Sequence, residues 1–168
     1  DAIDVLSSFE DETINIITIF HVIEHLDNKQ LQKLLIECNR VLNNDGVLIM
    51  ETPNIDSLLV STKSFHIDPT HINPIHPDLI TFYLERIGFS NVKTYDINCG
   101  PLKNASPIKI TRILNGVAQD LCIISTKRKE IFEMLLLKSS YWELNFDRGL
   151  STLEAAVQYD LKLEELLD

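Results

Sequence analysis

Residues 14–22 read INIITIFHV, a run of β-branched and aromatic residues with almost no polar interruption. Such a run does not alternate, so it suits a strand covered on both faces, as in a parallel sheet. The residues after it narrow the choice. Asp27 and Asn28 are helix-capping types. Leu31, Leu34, Leu35, Cys38, Val41 and Leu42 then recur at helical spacing, predicting an amphipathic helix over 30–42. Asn43, Asn44, Asp45 and Gly46 are expected to stop it through a left-handed backbone. Residues 47–50 form a second buried strand. Strand, helix and strand at this spacing make a βαβ unit, whose crossover is right-handed in nearly all proteins.

Around this unit, residues 3–6 form a helical turn ending at Ser7 and Ser8, and Asp11, Glu12 and Thr13 a turn. Residues 55–75 are a long connection with a short helix near 57–60, and loops of this length are usually functional. His76, Pro77 and Asp78 open a helix, with proline in its first turn. Its expected buried stripe is Leu79, Phe82, Tyr83 and Ile87, and Gly88 ends it. Strands follow at 92–97 and 120–125, with an irregular stretch at 100–115 that holds a short helix near Ile110. Residues 129–146 read as a helix with Ile131, Phe132, Leu135, Leu136 and Trp142 apolar, broken at Asp147, Arg148 and Gly149. Ser151 and Glu154 form a capping box for a last helix. Its leucines fit either a surface helix packed on its own domain or the start of a coiled coil.

A formal net charge of -10 repels a polyphosphate, so binding to nucleic acid is not expected. Lys127, Arg128 and Lys129, the one dense basic stretch, read as a strand end meeting a helix start. Cys38, Cys99 and Cys122 are odd in number, far apart and without a CxxC. Cys38 and Cys122 lie in apolar patterns, and a reducing cytoplasm fits best. No run approaches a membrane-spanning length, and there is no secretory signal. The sequence begins with Asp1, and its pattern is already inside a fold, which suggests a fragment.

The segment Phe20-His21-Val22-Ile23-Glu24-His25-Leu26, followed by Arg40-Val41-Leu42-Asn43-Asn44-Asp45-Gly46 and residues 47–54, resembles the class I S-adenosylmethionine-dependent methyltransferases. In that family a strand ends in an apolar-x-x-Glu-His-Leu motif, and a helix ending in RVLkpGG and a further strand come next. Here Asn-Asn-Asp-Gly replaces Lys-Pro-Gly-Gly. A third block, His66-Ile67-Asp68-Pro69-Thr70-His71, Pro74-Ile75-His76-Pro77 and Leu84-Glu85-Arg86-Ile87-Gly88-Phe89, is similar to bacterial methyltransferases associated with glycan and O-antigen assembly. Some of those carry a helical coiled-coil tail.

The resemblance implies an α/β fold, part of a doubly wound, Rossmann-like sheet of seven strands. The strands of this chain would be the fourth to seventh, the last pair antiparallel, with C-terminal helices. Residues 1–127 would be the C-terminal portion of the methyltransferase domain, and 128–168 a helical tail, the start of a coiled coil in one reading. The N-terminal cofactor-binding half would be absent, because no two glycines here form a GxG. The implied cofactor is S-adenosyl-L-methionine, with Asp1 and Ala2 at the adenine and Phe20, His21 and Val22 on the sulfonium side. The implied reaction is methyl transfer to an oxygen of a sugar, phosphate or small polar acceptor in polysaccharide biosynthesis. Self-association would run through the tail.

His21 is a candidate base or acceptor contact, since an imidazole titrates near neutrality; packing is the competing reading. His71 is the second catalytic candidate. His66, Asp68, His71 and His76 would line an acceptor pocket, or merely make turns. No metal is expected. Some methyltransferases acting on catechol-like rings or RNA 2'-hydroxyls bind one with Glu-x-x-Glu-His and a later histidine, and here Glu24, His25 and His71 would be the ligands, with His76 the other choice for the later histidine, but His21 replaces the first glutamate. The H-x-x-E-H spelling of residues 21–25 also matches an inverted zinc-peptidase motif, which needs one helix where a strand end is expected. Metal-assisted O-methylation and a non-catalytic fragment or helical interaction module are the alternative functions.

Overall fold

The computed structural model of the chain describes residues 2–137 and 149–167. Its elements are helix α1 (Ala2–Ser7), strand β1 (Ile14–Phe20), helix α2 (Asn28–Val41), strand β2 (Leu42–Pro53), short helix α3 (Leu58–Thr62), helix α4 (Pro77–Ile87), strand β3 (Asn91–Cys99), short helix α5 (Ile110–Asn115), strand β4 (Ala118–Thr126), helix α6 (Lys129–Leu137) and a helix over Thr152–Leu167, α7. One-turn 3-10 helices span Ile23–His25 and Ser64–Ile67.

The four strands form one sheet in the order β1-β2-β4-β3. β1 and β2 are parallel, as a βαβ unit requires, while β4 runs antiparallel to both neighbours. β4 therefore lies between β2 and β3, so that the carboxyl ends of β1, β2 and β3 and the start of β4 share one edge. Apolar clusters lie on both faces. The larger joins Leu31, Leu34 and Leu35 of α2 and Ile80 and Leu84 of α4 to Leu48, Met50 and Ile123. The smaller sets Phe132 of α6 against Val47, Ile97, Cys122 and Ile124. Burial of these side chains is the main drive for the fold.

Local chemistry sets the element ends. Asp27 caps α2, its carboxylate accepting from the Lys29 and Gln30 amides while Gln30 returns a bond to the Asp27 amide. Pro77 opens α4 behind the His76 cap, and Gly88 closes it at φ 120°, a backbone that favours glycine. Arg40 ties α2 to α1. Its guanidinium donates to Glu37 and Asp11 and to the carbonyls of Leu6 and Phe9.

Four expectations need correction. β1 stops at Phe20, short of His21 and Val22, and is not covered on both faces: Ile16 is 60% and Phe20 53% exposed. Among the described residues it is an edge strand. The buried stripe of α4 is Ile80 and Leu84, with Tyr83 and Ile87 partly covered; Leu79 and Phe82 face outward. The stripe is rotated by one residue because α4 packs between α2 and β3. No left-handed residue stops α2. Leu42 turns directly to extended backbone, and Gly46 is needed for space instead, since a Cβ there would lie 2.8 Å from the Leu42 side chain. Lastly, β2 begins at Leu42, ahead of the expected 47.

The other predicted segments stand close to their expected places, including the β4–α6 junction at Lys127–Lys129. The helix expected over 129–146 is described to Leu137, and the Leu136 side chain, Trp142, Asp147 and Arg148 lie outside the described residues. The Ser151 and Glu154 capping box is formed. Ahead of it, Gly149 donates to the Asp96 carbonyl and Ala118 to that of Leu150. α7 then rests on the body through buried Ala155 and a bond from Arg112 to Gln158, while Leu153, Val157, Leu161, Leu166 and Leu167 are exposed. No helix among the described residues is long and apolar enough to cross a membrane.

Candidate functional site

Beyond Phe20 the chain must leave the sheet edge sharply, and it does so at His21, whose φ of 51° is left-handed. That conformation is uncommon for histidine and marks a constrained position. The His21 amide donates to the Glu51 carbonyl at 2.9 Å, extending the β1–β2 pairing by one bond. The ring is 46% exposed and lies between two carboxyl groups, with Nδ1 3.3 Å from Glu24 Oε1 and Nε2 3.4 Å from Glu51 Oε1.

Glu51 belongs to a polar rim along the same edge. The amide of Asn98, also left-handed at φ 56°, donates to Glu51 Oε1 at 3.2 Å and to Asp120 Oδ2 at 2.9 Å. The turn after β1 and the strands β2, β3 and β4 thus supply His21, Glu51, Asn98 and Asp120 in turn.

Glu24 lies in the one-turn helix after His21 and is completely buried. Thr52 of β2 donates to its Oε2 at 3.0 Å. Its Oε1 has no hydrogen-bond donor, although His21 Nδ1 lies 3.3 Å away. The Glu24 carbonyl accepts from the amides of Ile72 and Asn73, which pins the long loop against the β1 turn.

That pinning brings the loop histidine into place. The rings of His25 and His71 meet edge to face at 4.7 Å, and Phe65 packs on His71 at 4.8 Å. His71 Nδ1 is 2.8 Å from the Phe65 carbonyl, and His25 Nδ1 2.8 Å from Thr70 Oγ1. Thr70 Oγ1 donates in turn to Asp68 Oδ1 at 2.6 Å. The Thr70 hydroxyl and then its amide hold the Asp68 carboxyl below the usual aspartate range.

The predicted catalytic, acceptor-binding and metal-ligand residues divide into two groups. His21, Glu24, His25 and His71 converge on one edge of the sheet, with Asp68 bonded behind them. His66 and His76 are exposed and make local bonds. His66 Nε2 meets the Ser61 carbonyl, and His76 accepts from the Asp78 amide as the α4 cap. Phe20 is exposed at the strand tip, Val22 precedes the one-turn helix and is partly buried against the core, Ala2 begins α1, and Asp1 lies outside the described residues. His21 and His25 do not share a helix, so an inverted zinc-peptidase arrangement is not built. Sequence reasoning assigned no role to Glu51, Thr52, Thr70, Asn98 or Asp120. Thr52 and Thr70 sit inside the motifs quoted above, whereas Asn98 and Asp120 carry no local signal.

Away from this edge, burial pushes the thiols of Cys38 and Cys122 up to about 12, which makes them poor nucleophiles.

Comparison with known proteins agrees with this layout. Residues 3–94 match a family described as a methyltransferase domain. A probable S-adenosylmethionine-dependent methyltransferase of Mycobacterium tuberculosis is 31% identical over 91 residues, which is 54% of this chain and 32% of the relative. The chain thus spans about a third of that relative's length. The crystal structure of a SAM-dependent methyltransferase from Archaeoglobus fulgidus is 33% identical and superposes with a TM-score of 0.64, over 74% of this chain and 64% of the other. A Haemonchus contortus phosphoethanolamine N-methyltransferase, solved with S-adenosyl-L-methionine, shares the fold at 12% identity and a TM-score of 0.56, over 77% of this chain and 36% of its own.

Proposed function

Because the chain belongs to the methyltransferase domain family, we propose that it is the acceptor-side portion of an S-adenosyl-L-methionine-dependent enzyme that methylates an oxygen of a sugar, phosphate or other small polar acceptor. The observation that carries this reading is His21. It is held left-handed at the tip of β1, between the carboxyl groups of Glu24 and Glu51, where ligands of open α/β sheets bind. A role in glycan or polysaccharide assembly is supported by the motif resemblance at 66–77 and 84–89.

When bound, S-adenosyl-L-methionine supplies a methyl group already activated by a sulfonium. The residues present fit one side of it. Phe20 offers an exposed aromatic ring at the strand tip, with His21 and Val22 beside it and Ala2 at the start of α1. The glycine turn and the ribose-binding acid have no counterpart in residues 1–168.

The chain's own residues are then left with positioning and proton transfer. His21 takes the acceptor proton, with Glu24 and Glu51 orienting its ring. His71 and the loop behind it bound the acceptor, with Asp68 fixing Thr70. His66 and His76 shape the outer part of that loop. The exposed leucines of α7 are the surface through which the protein would self-associate.

The test is transfer of labelled methyl from S-adenosyl-L-methionine to oligosaccharide acceptors by the whole protein. His21→Ala should lower kcat by roughly 10²–10⁴, the usual worth of a general base. An H21A protein with undiminished kcat would sink the assignment of His21. Failure of the whole protein to bind the cofactor would favour a non-catalytic interaction module.

A further inference from the structure

Negative charge and hydrogen-bond acceptors crowd the rim at the sheet edge. His21, Glu51 and Asp120 each place a ring nitrogen or a carboxyl oxygen within 4.8 Å of the other two. Asn98 spends both amide hydrogens inside the rim, one on Glu51 Oε1 and one on Asp120 Oδ2. Only its carbonyl oxygen is left for a ligand, and the flipped amide would set that oxygen against two carboxyl groups. Among the described residues no lysine or arginine pairs with Glu51 or Asp120.

Glu24, behind the rim, decides which way the His21 ring presents itself. Its Oε1 is completely buried and unpartnered, a state that native structures avoid. Two ring nitrogens face that oxygen. His25 Nε2, at 4.0 Å, is beyond hydrogen-bond reach, and His21 Nδ1, at 3.3 Å, is the nearer. A neutral His21 therefore keeps its hydrogen on Nδ1, toward Glu24, and turns the lone pair of Nε2 to the rim. There Nε2 meets Glu51 Oε1 at 3.4 Å, one acceptor against another. A second ring proton would answer Glu51, but a doubly protonated ring cannot act as the base proposed above. The missing donor must come with the bound molecule, and the carboxyl groups of Glu51 and Asp120 favour one that carries positive charge.

We propose that the acceptor is an amino sugar, whose ammonium group binds between the carboxyl groups of Glu51 and Asp120 while a neighbouring hydroxyl points at His21 Nε2. The inference rests on the methyltransferase reading above, with His21 as its base. The hydroxyl proton passes to Nε2 as the oxygen gains the methyl carbon. That carbon's bond to sulfur breaks, and the electron pair stays on sulfur as a neutral thioether. A nitrogen held as ammonium has no lone pair to offer, so methylation falls on oxygen. A phosphate in the same place would meet two carboxyl groups and no cation. Of the acceptor classes named above, the rim therefore rejects that one.

The whole protein is titrated with D-glucosamine, N-acetyl-D-glucosamine and D-glucose 6-phosphate near neutral pH, where a free amine is mostly charged. Binding is followed by NMR in the His21 ring signals, and labelled methyl transfer is measured with the same three compounds. Glucosamine should bind about tenfold tighter than its N-acetyl form, by a margin that shrinks as salt is added, and the phosphate should leave the ring signals unmoved. Asp120→Asn keeps the shape of the side chain and should cut the preference for glucosamine about tenfold, in binding and in kcat/KM. Circular dichroism establishes that D120N is folded; if it is not, the salt dependence of the parent's preference still decides. Equal binding of glucosamine and its N-acetyl form, a D120N preference equal to the parent's, or label found on nitrogen would overturn the amino-sugar assignment and leave the methyltransferase reading standing. Selective binding of glucosamine without transfer to any acceptor would instead count against the methyltransferase reading.

Discussion

At the scale of single residues, Glu24 concentrates the conflict between burial and chemistry. Its Oε2 is satisfied by Thr52 alone. Thr52→Val keeps the shape of the side chain and deletes that donor, leaving both carboxyl oxygens without a partner. The expected cost is about 1–3 kcal/mol of stability, measured by urea unfolding. The same variant is expected to lower activity of the whole protein, because Glu24 would no longer be held beside His21. A T52V chain as stable as the parent would mean that Glu24 is not relying on this bond. His21 and Asn98 show a second residue-scale device. Both take left-handed backbone where strands leave the sheet edge, which turns their side chains toward the same rim.

Among elements, the tie between α1 and α2 is the one that pH should loosen. Hydrogen bonds from Arg40 lower the Glu37 carboxyl below the usual glutamate range. A group whose folded pKa is depressed stabilises the fold above its unfolded pKa, and that contribution is lost as pH falls through the folded value. Arg40→Met should therefore lower the Tm near neutrality. The gap to the parent should narrow in acid, once Glu37 is protonated in both proteins. It should not close, because the Arg40 bonds to the Leu6 and Phe9 carbonyls do not titrate. Tm measured against pH for both proteins checks this, and a gap that stays constant into acid would show that Glu37 is not the partner that matters.

For the whole molecule, β1 sets the limits. It is a parallel strand, and parallel strands are normally covered on both faces. Yet Ile16, Thr18 and Phe20 are exposed, and among the described residues nothing pairs with its outer edge. With only one side of a cofactor site present, residues 1–168 alone should bind S-adenosyl-L-methionine weakly or not at all. Calorimetric titration giving micromolar affinity would contradict this, and would mean that the β1 edge suffices. The tail is held at β3 and the start of β4, where Gly149 donates to Asp96 and Ala118 to Leu150. Gly149 fits against Ala118 where a Cβ would come within 2.4 Å of the alanine side chain, so the approach to α7 depends on that glycine.

Much of this was legible from residue order. The apolar run into Phe20, the capped amphipathic helix after it and the next apolar run specify a βαβ unit by local pattern, because period and capping are properties of neighbouring residues. The spacing of His21, Glu24 and His25 likewise placed them at a strand tip. Tertiary structure decided the rest, since contacts between distant segments leave no local trace. It placed β4 between β2 and β3, rotated the α4 stripe onto Ile80 and Leu84, and left β1 uncovered. It also set His71 against His25, and Thr52 and His21 against Glu24. Those meetings depend on how the long loop folds back onto the sheet edge, where amides of Ile72 and Asn73 reach the carbonyl of a residue almost fifty positions earlier.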